Sequence, residues 1–279
     1  MKCQANRLLL ASTIGLSVGL GSSTNSFASD ADAIARSLQD PLANISAVVT
    51  DNTFNLDMGG DEKRTGYDFQ IQPVHSIQSD RGFSIVPRGV IPIVGAPAES
   101  DFPFLGERRE AGDGTTWGLG DIVVQSFIAP KTESSIKWGL GPQVSLRTRT
   151  DDRVGGPGWG GGIAGVVVAS SGPWSFAGIA NNLWGEDGFN TLSLMPMLYY
   201  NFESIPGAFV AYNNTIAYDW SASSGNEWTV PVGLHVGRAF ALDGGYGLEL
   251  SLGGYKLAAR PEGAADWQVK FGISVVLPR

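Results

Sequence analysis

The chain has 279 residues, 43% of them hydrophobic and 16% charged, with a formal net charge of −8 at pH 7. The acidic balance argues against nucleic acid as a partner, and a sole cysteine, Cys3, rules out a disulfide framework. Glycine is abundant at 38 residues and Trp and Tyr number 8 and 7, a composition that suits an outer-membrane barrel, with a secreted β-sandwich as the rival.

Lys2 and Arg7 give a basic start, residues 8–20 are apolar apart from Ser, Thr and Gly, and Ser26-Phe27-Ala28 places small residues where a signal peptidase needs them. This reads as an export signal, residues 1–28, cut after Ala28. A membrane anchor is the rival, but the apolar run is shorter than the roughly 20 residues of a spanning helix. Cys3 precedes the apolar stretch, the wrong place for lipid attachment, so cleavage leaves a mature chain without cysteine.

Residues 29–43 form the next unit. Ala31, Ile34, Ala35 and Leu38 recur at helical spacing and Pro41 stops the run, which predicts a short amphipathic helix over 30–40. It would plug or line a barrel, sit at its periplasmic mouth, or remain a frayed leader.

From 44 to 279 about a dozen strand-like segments follow, at 44–57, 65–77, 83–94, 117–129, 135–149, 160–169, 174–184, 191–202, 209–220, 227–240, 246–256 and 267–277. In 135–149, Ile136, Trp138, Leu140, Val144 and Leu146 face one way, with Lys137, Gln143, Ser145, Arg147 and Arg149 the other. The phase of 117–129 is ambiguous. Pro87, Pro142, Pro196 and Pro231 each remove a ladder donor, so they predict bulges or kinks. The closing segment alternates most cleanly, with Trp267, Val269, Phe271, Ile273, Val275 and Leu277 opposite Gln268, Lys270, Gly272, Ser274 and Val276. Roughly 10 residues is the length of a tilted strand crossing a bilayer, and a polar second face suits a barrel lumen.

The connections alternate too. Tight links at 78–82, 130–134, 170–173, 203–208 and 243–245 follow the even segments, whereas longer or more polar ones, such as 95–116, 150–159 and 257–266, follow the odd ones. Short turns on one side and long loops on the other are the outer-membrane barrel arrangement, with both termini periplasmic. Trp174 falls near one rim and Trp184, Trp220, Trp228 and Trp267 near the other, as interfacial girdles require. The expected fold is an all-β transmembrane antiparallel barrel of about 12 strands.

Asp40-Pro41-Leu42-Ala43-Asn44, Gly118-Leu119-Gly120-Asp121, Trp138-Gly139-Leu140-Gly141-Pro142, Gly172-Pro173-Trp174, Asn181-Asn182-Leu183-Trp184, Trp228-Thr229-Val230-Pro231, Arg260-Pro261-Glu262-Gly263 and Asp266-Trp267-Gln268 occur in an order that carries a family likeness. Over nearly the whole mature chain it resembles the outer-membrane transporters grouped with the meta-pathway of phenol degradation. The resemblance implies a bacterial outer-membrane barrel with a part in uptake of small compounds, aromatic ones among them. Many such barrels end in an aromatic residue read by the barrel-assembly machinery, but this chain ends Leu277-Pro278-Arg279, so the assembly signal would lie around Phe271.

No catalytic, metal or cofactor arrangement is legible. The two histidines, His75 and His235, sit in no metal or triad spacing, and a lipid-enzyme reading has only the neighbours His75-Ser76, which point to opposite faces of a strand. Charges on a lipid face cost about 2–4 kcal/mol for Arg or Lys at the midplane. The lumen-lining candidates are therefore Asp68, Arg88, Lys137, Gln143, Arg147, Arg149, Asp219, Glu249, Gln268 and Lys270. They would line a solute path or knit a closed, non-conducting core. Loop 96–116, with Phe102, Phe104, Arg108 and Arg109, would fold into the mouth as a lid or remain a solvated loop, and Arg260 and Glu262 would form a gate or an ion-paired turn. The expected partners are the lipid bilayer, the assembly machinery and small solutes.

Overall fold

A computed structural model describes residues 23–59, 63–97, 114–132 and 134–278, with side chains from Asp30 onward. The predicted signal peptide up to Ser22 and the lid residues Phe102, Phe104, Arg108 and Arg109 lie outside the described residues. One helix, α1 (Ser23–Leu38), precedes an antiparallel sheet that closes on itself as a barrel of 12 strands. These are β1 (Ser46–Met58), β2 (Arg64–His75, resuming at Ile77–Gln78), β3 (Phe83–Pro97), β4 (Thr115–Leu119 and Ile122–Pro130), β5 (Ile136–Leu146) and β6 (Gly160–Ser171). The second half comprises β7 (Trp174–Trp184), β8 (Asn190–Asn201), β9 (Ala208–Asn213 and Ile216–Asp219), β10 (Trp228–Ala241), β11 (Gly247–Ala259) and β12 (Trp267–Leu277).

Each strand pairs with its sequence neighbours, and β12 returns to β1 with Ser46 opposite Leu277 and Leu56 opposite Trp267. Closure removes every free edge, the condition for a sheet to sit in hydrocarbon. The even strands are joined to their successors by turns of at most six residues, and the longest connections, 98–114 and 147–159, follow odd strands, although the links after β1 and β7 are as short as the turns. One end of the barrel is therefore a short-turn end and the other a long-loop end.

The alternation sorts chemistry across the wall. Val232, Leu234, Val236, Leu250 and Leu252 are exposed on the outside, as are all 8 tryptophans. Ser145, Gln143, Ser274 and Gln125 are buried on the inside. This is an apolar exterior around a polar interior, the inverse of a soluble sandwich. Trp138 and Trp174 begin strands at the short-turn end, while Trp184, Trp220, Trp228 and Trp267 mark the long-loop end.

The four prolines sit where the ladder breaks. Pro87 keeps its partner Ser126 on β4 but has none on β2. Pro142 lies in the gap between the Gln125–Gln143 and Ile128–Leu140 pairs, and the register shifts between Val230 and Pro231. Pro196 keeps Gly178 on β7 but lies opposite a gap in β9. The ambiguous phase of β4 has a similar origin. Leu119 opposes Ile93 whereas Val123 opposes Val90, one residue out of step, so the strand changes face at Gly120-Asp121.

Candidate functional site in the barrel lumen

The short-turn end of the lumen is floored by α1. Ala31 and Ala35 are buried toward the barrel, one apolar stripe of a 3.6-residue repeat. The Asp32 carboxylate accepts from the Gly207 amide at 2.6 Å, and Arg36 donates to the Gly172 carbonyl at 3.0 Å, tying the helix to two short turns. Gly207 has φ +74°, and a Cβ there would lie 2.3 Å from the Ala239 carbonyl oxygen and 3.2 Å from Ala31, so glycine is what lets the turn meet the helix. Past the helix, Gln39 and Asn201 exchange buried side-chain hydrogen bonds of 2.8 and 3.1 Å, and Asp40 pairs with Lys137 at 2.7 Å. Of the placements open at the sequence level, the helix lies at the short-turn mouth, packed on β10, β11 and β12.

Above this floor is a cavity of about 150 Å³. Leu38, Ala47, Val74, Val86, Phe127, Ile179, Met195, Met197 and Tyr199 form its apolar walls, with Arg88, Asp51, Lys270, His235, Glu249 and Tyr255 among its polar ones.

A belt of polar side chains runs round half of the wall. Gln70 donates to Asp68 at 3.1 Å, Gln72 to Gln70 at 2.8 Å and Arg88 to Gln72 at 2.7 Å. Arg88 also reaches Gln125 at 3.4 Å, Gln125 donates to Gln143 at 2.8 Å, and Gln143 donates to the Asn182 carbonyl at 2.9 Å. The last step crosses from β5 to β7 over Gly162, where a Cβ would lie 2.6 Å from the Gln143 amide. The other half is crossed by Asn214. The β9 ladder opens on both sides between Asn213 and Ile216. Asn214 Nδ2 donates to Gln268 Oε1 at 3.0 Å and Lys270 Nζ donates to Asn214 Oδ1 at 3.4 Å, three strands away. Lys270 in turn pairs with Asp51 at 2.9 Å, and Gln268 donates to Asn55 at 2.9 Å. The Tyr255 hydroxyl, fully buried, meets the Asn213 carbonyl at 3.2 Å and His235 Nδ1 at 3.0 Å.

The ten lumen-lining candidates separate by height. Asp68, Arg88, Gln143 and Lys270 face the middle of the lumen, Gln268 lies toward the long-loop end beside Trp267, Glu249 stands just over the helix floor, and Lys137 is at the short-turn mouth. Arg147, Arg149 and Asp219 lie at or beyond the long-loop rim, because β5 ends at Leu146 and β9 at Asp219. There Arg149, with 4% of its side chain exposed, lies 3.6 Å from the fully buried Asp121 carboxylate, which also accepts from the amides of Thr148, Arg149 and Gly158. Arg147 pairs with Glu186 at 3.1 Å and Asp152 at 3.6 Å. In the same loop the Asp151 carboxylate accepts from the Arg153 guanidinium and holds its pKa above the ordinary arginine value. Asp219 accepts from the Ser221 amide at 2.8 Å, an Asx turn. Arg260 pairs with Asp266 and donates to the Ala264 carbonyl at 2.7 Å, and the Glu262 amide donates to Asn226 at 2.7 Å. Those contacts make a cross-linked turn.

Asn214, Asp51, Gln72, Gln125 and Tyr255 were not among the sequence candidates. Asn213-Asn214 inside an otherwise alternating stripe is the one local signal that marked the break, since paired Asn favours turns. His75 Nδ1 lies 2.7 Å from Ser46 Oγ, an exposed contact that pairing of β1 with β2 creates and sequence adjacency conceals.

No family model matches the chain and no curated protein is similar to it. Among solved structures, an outer membrane channel from Pseudomonas putida F1 superposes with a TM-score of 0.60 at 14% identity, covering 84% of this chain and 96% of that one. The chain has the fold of an outer membrane channel. A bacterial polysaccharide outer membrane secretin (TM-score 0.39, 8% identity, 84% of this chain and 99% of that one) and Pseudomonas aeruginosa OpdK with vanillate (TM-score 0.35, 8% identity, 83% and 98%) also match, too loosely to inform this lumen.

Proposed function

We propose that this protein is a passive outer-membrane channel for small molecules, aromatic or hydrophobic ones among them. The supporting observation is a largely apolar chamber inside a membrane-type barrel, with a short helix rather than the wall itself at one mouth. A helix held by a handful of hydrogen bonds is displaced at far lower cost than a strand of a closed sheet. The chain reaches this site through a leader cleaved after Ala28 and insertion by the barrel-assembly machinery, leaving residues 29–43 as the plug and 44–279 as the barrel. The likeness of its motifs to transporters of the phenol meta-pathway supports single-ring cargo.

The test is flux of neutral single-ring solutes into liposomes, together with conductance in planar bilayers. Passage that falls when Ala47→Phe fills the chamber supports the channel, and purified folded protein with neither flux nor conductance sinks it. The belt from Asp68 to Asn182 favours one rival, a non-conducting structural barrel, and the same two measurements separate them.

A further inference from the structure

We propose that Glu249 is the recognition residue of the lumen chamber and that its ligand is a small cationic amine, a primary ammonium carried on a single ring. This names the cargo of the channel just proposed and rests on that reading.

Glu249 stands on β11 two residues above Gly247, where a Cβ would lie 2.7 Å from Ile34 of α1, so its carboxylate emerges just over the helix floor. It lines the same cavity as Val86, Phe127 and Met197. Its Oε2 is buried with no hydrogen-bond partner among the described residues. Among the described residues no Lys or Arg comes within 4.0 Å of it; Lys270 is held by Asp51, and Arg88 by Gln72 and Gln125. A carboxylate taken from water without a donor or counter-charge is costly to hold. A ligand that brings a donor to Oε2 removes that cost.

Charge decides among ligands. An ammonium offers three N–H donors and the opposite charge, a hydroxyl offers one donor and no charge, and a second carboxylate is repelled. Size sets the rest. A chamber of about 150 Å³ is on the scale of an engineered apolar cavity that admits benzene, so one ring fits against Val86, Phe127 and Met197 while its amine reaches Glu249.

Isothermal titration of the folded protein in detergent with benzylamine, benzyl alcohol and benzoate tests this, because the three share a ring and differ in the head. The expected order has benzylamine bound roughly tenfold or more tighter than benzyl alcohol, with benzoate weakest. Glu249→Gln is expected to bring benzylamine down to the level of benzyl alcohol and leave the alcohol within about twofold. Equal binding of the three, tightest binding of benzoate, or benzylamine binding unmoved by Glu249→Gln would each overturn the proposal. The wild-type order needs no variant, so it decides even if Glu249→Gln fails to fold, which heat-modifiable migration in gels reports. Amine-selective binding without flux would overturn the channel and leave the amine site standing.

Discussion

Lys270 Nζ lies 2.9 Å from Asp51 Oδ1 across the seam where β12 meets β1, joining the last strand of the chain to the first. The two side chains are 12% and 24% exposed, so neither is fully hydrated, and Asn214 caps the lysine from three strands away. Removing one partner leaves the other charge in the lumen. Lys270→Met is expected to destabilise the folded barrel by about 3 kcal/mol, and the double variant with Asp51→Leu by clearly less. Urea-unfolding midpoints of the two proteins in the same detergent check this; equal losses would mean that the pair does not hold the seam.

The segment after α1 is tied to the wall by Gln39 and Asn201, whose two reciprocal hydrogen bonds contribute about 1 kcal/mol each. Gln39→Leu removes both and leaves Asn201 under-satisfied. Since about 1.4 kcal/mol is tenfold in an equilibrium, the open fraction in planar bilayers should rise roughly tenfold or more. Unchanged opening would show that α1 does not control passage.

Gly162 is where the polar belt crosses from β5 to β7. A Cβ there would lie 2.1 Å from the Asn182 carbonyl oxygen and 2.6 Å from the Gln143 amide, so backbone as well as side chain must yield. Gly162→Ala is expected to cost about 1–3 kcal/mol by overpacking. Gly254, whose added Cβ meets nothing within 4 Å, is the control, and Gly254→Ala should be nearly neutral. Thermal unfolding followed by gel mobility distinguishes the two.

Arg149 and Asp121 are both almost wholly shielded from solvent. Asp121 binds the amides of the loop after β5 directly, and Arg149 neutralises it. Arg149→Ala strands a buried carboxylate and should cost about 3 kcal/mol, with protease cleavage appearing in 150–159 before the barrel unfolds. Exposed Arg153, paired among the described residues with Asp151 in the same turn, should be replaceable without effect on either readout.

The strand alternation of the closing segment, the sorting of short and long connections and the rim tryptophans make the membrane barrel legible in the sequence. In 267–277 the lipid and lumen faces follow from period two alone, and the prolines at 87, 142, 196 and 231 marked the broken ladders. The phase of β4 stayed ambiguous because the one-residue slip at Gly120-Asp121 depends on β3, its partner. Arg147 and Arg149 looked lumenal because alternation continues past Leu146 in sequence, whereas the strand itself ends where its neighbours no longer pair with it.

The sequence by itself determined the class of fold and, in the cleanly alternating strands, which side of the wall each residue takes, because a pleated strand has only two faces and a bilayer sorts them by polarity. It also determined that an amphipathic helix precedes the strands, expected over 30–40 and found at Ser23–Leu38. Only the tertiary structure decided that this helix lies at the short-turn mouth, that Asn214 reaches Gln268 and Lys270 three strands away, and that Glu249 Oε2 stands over the chamber with no hydrogen-bond partner among the described residues. These are relations between residues far apart in the chain, set by how twelve tilted strands close on one another, and local periodicity carries no information about which opposite wall a side chain meets.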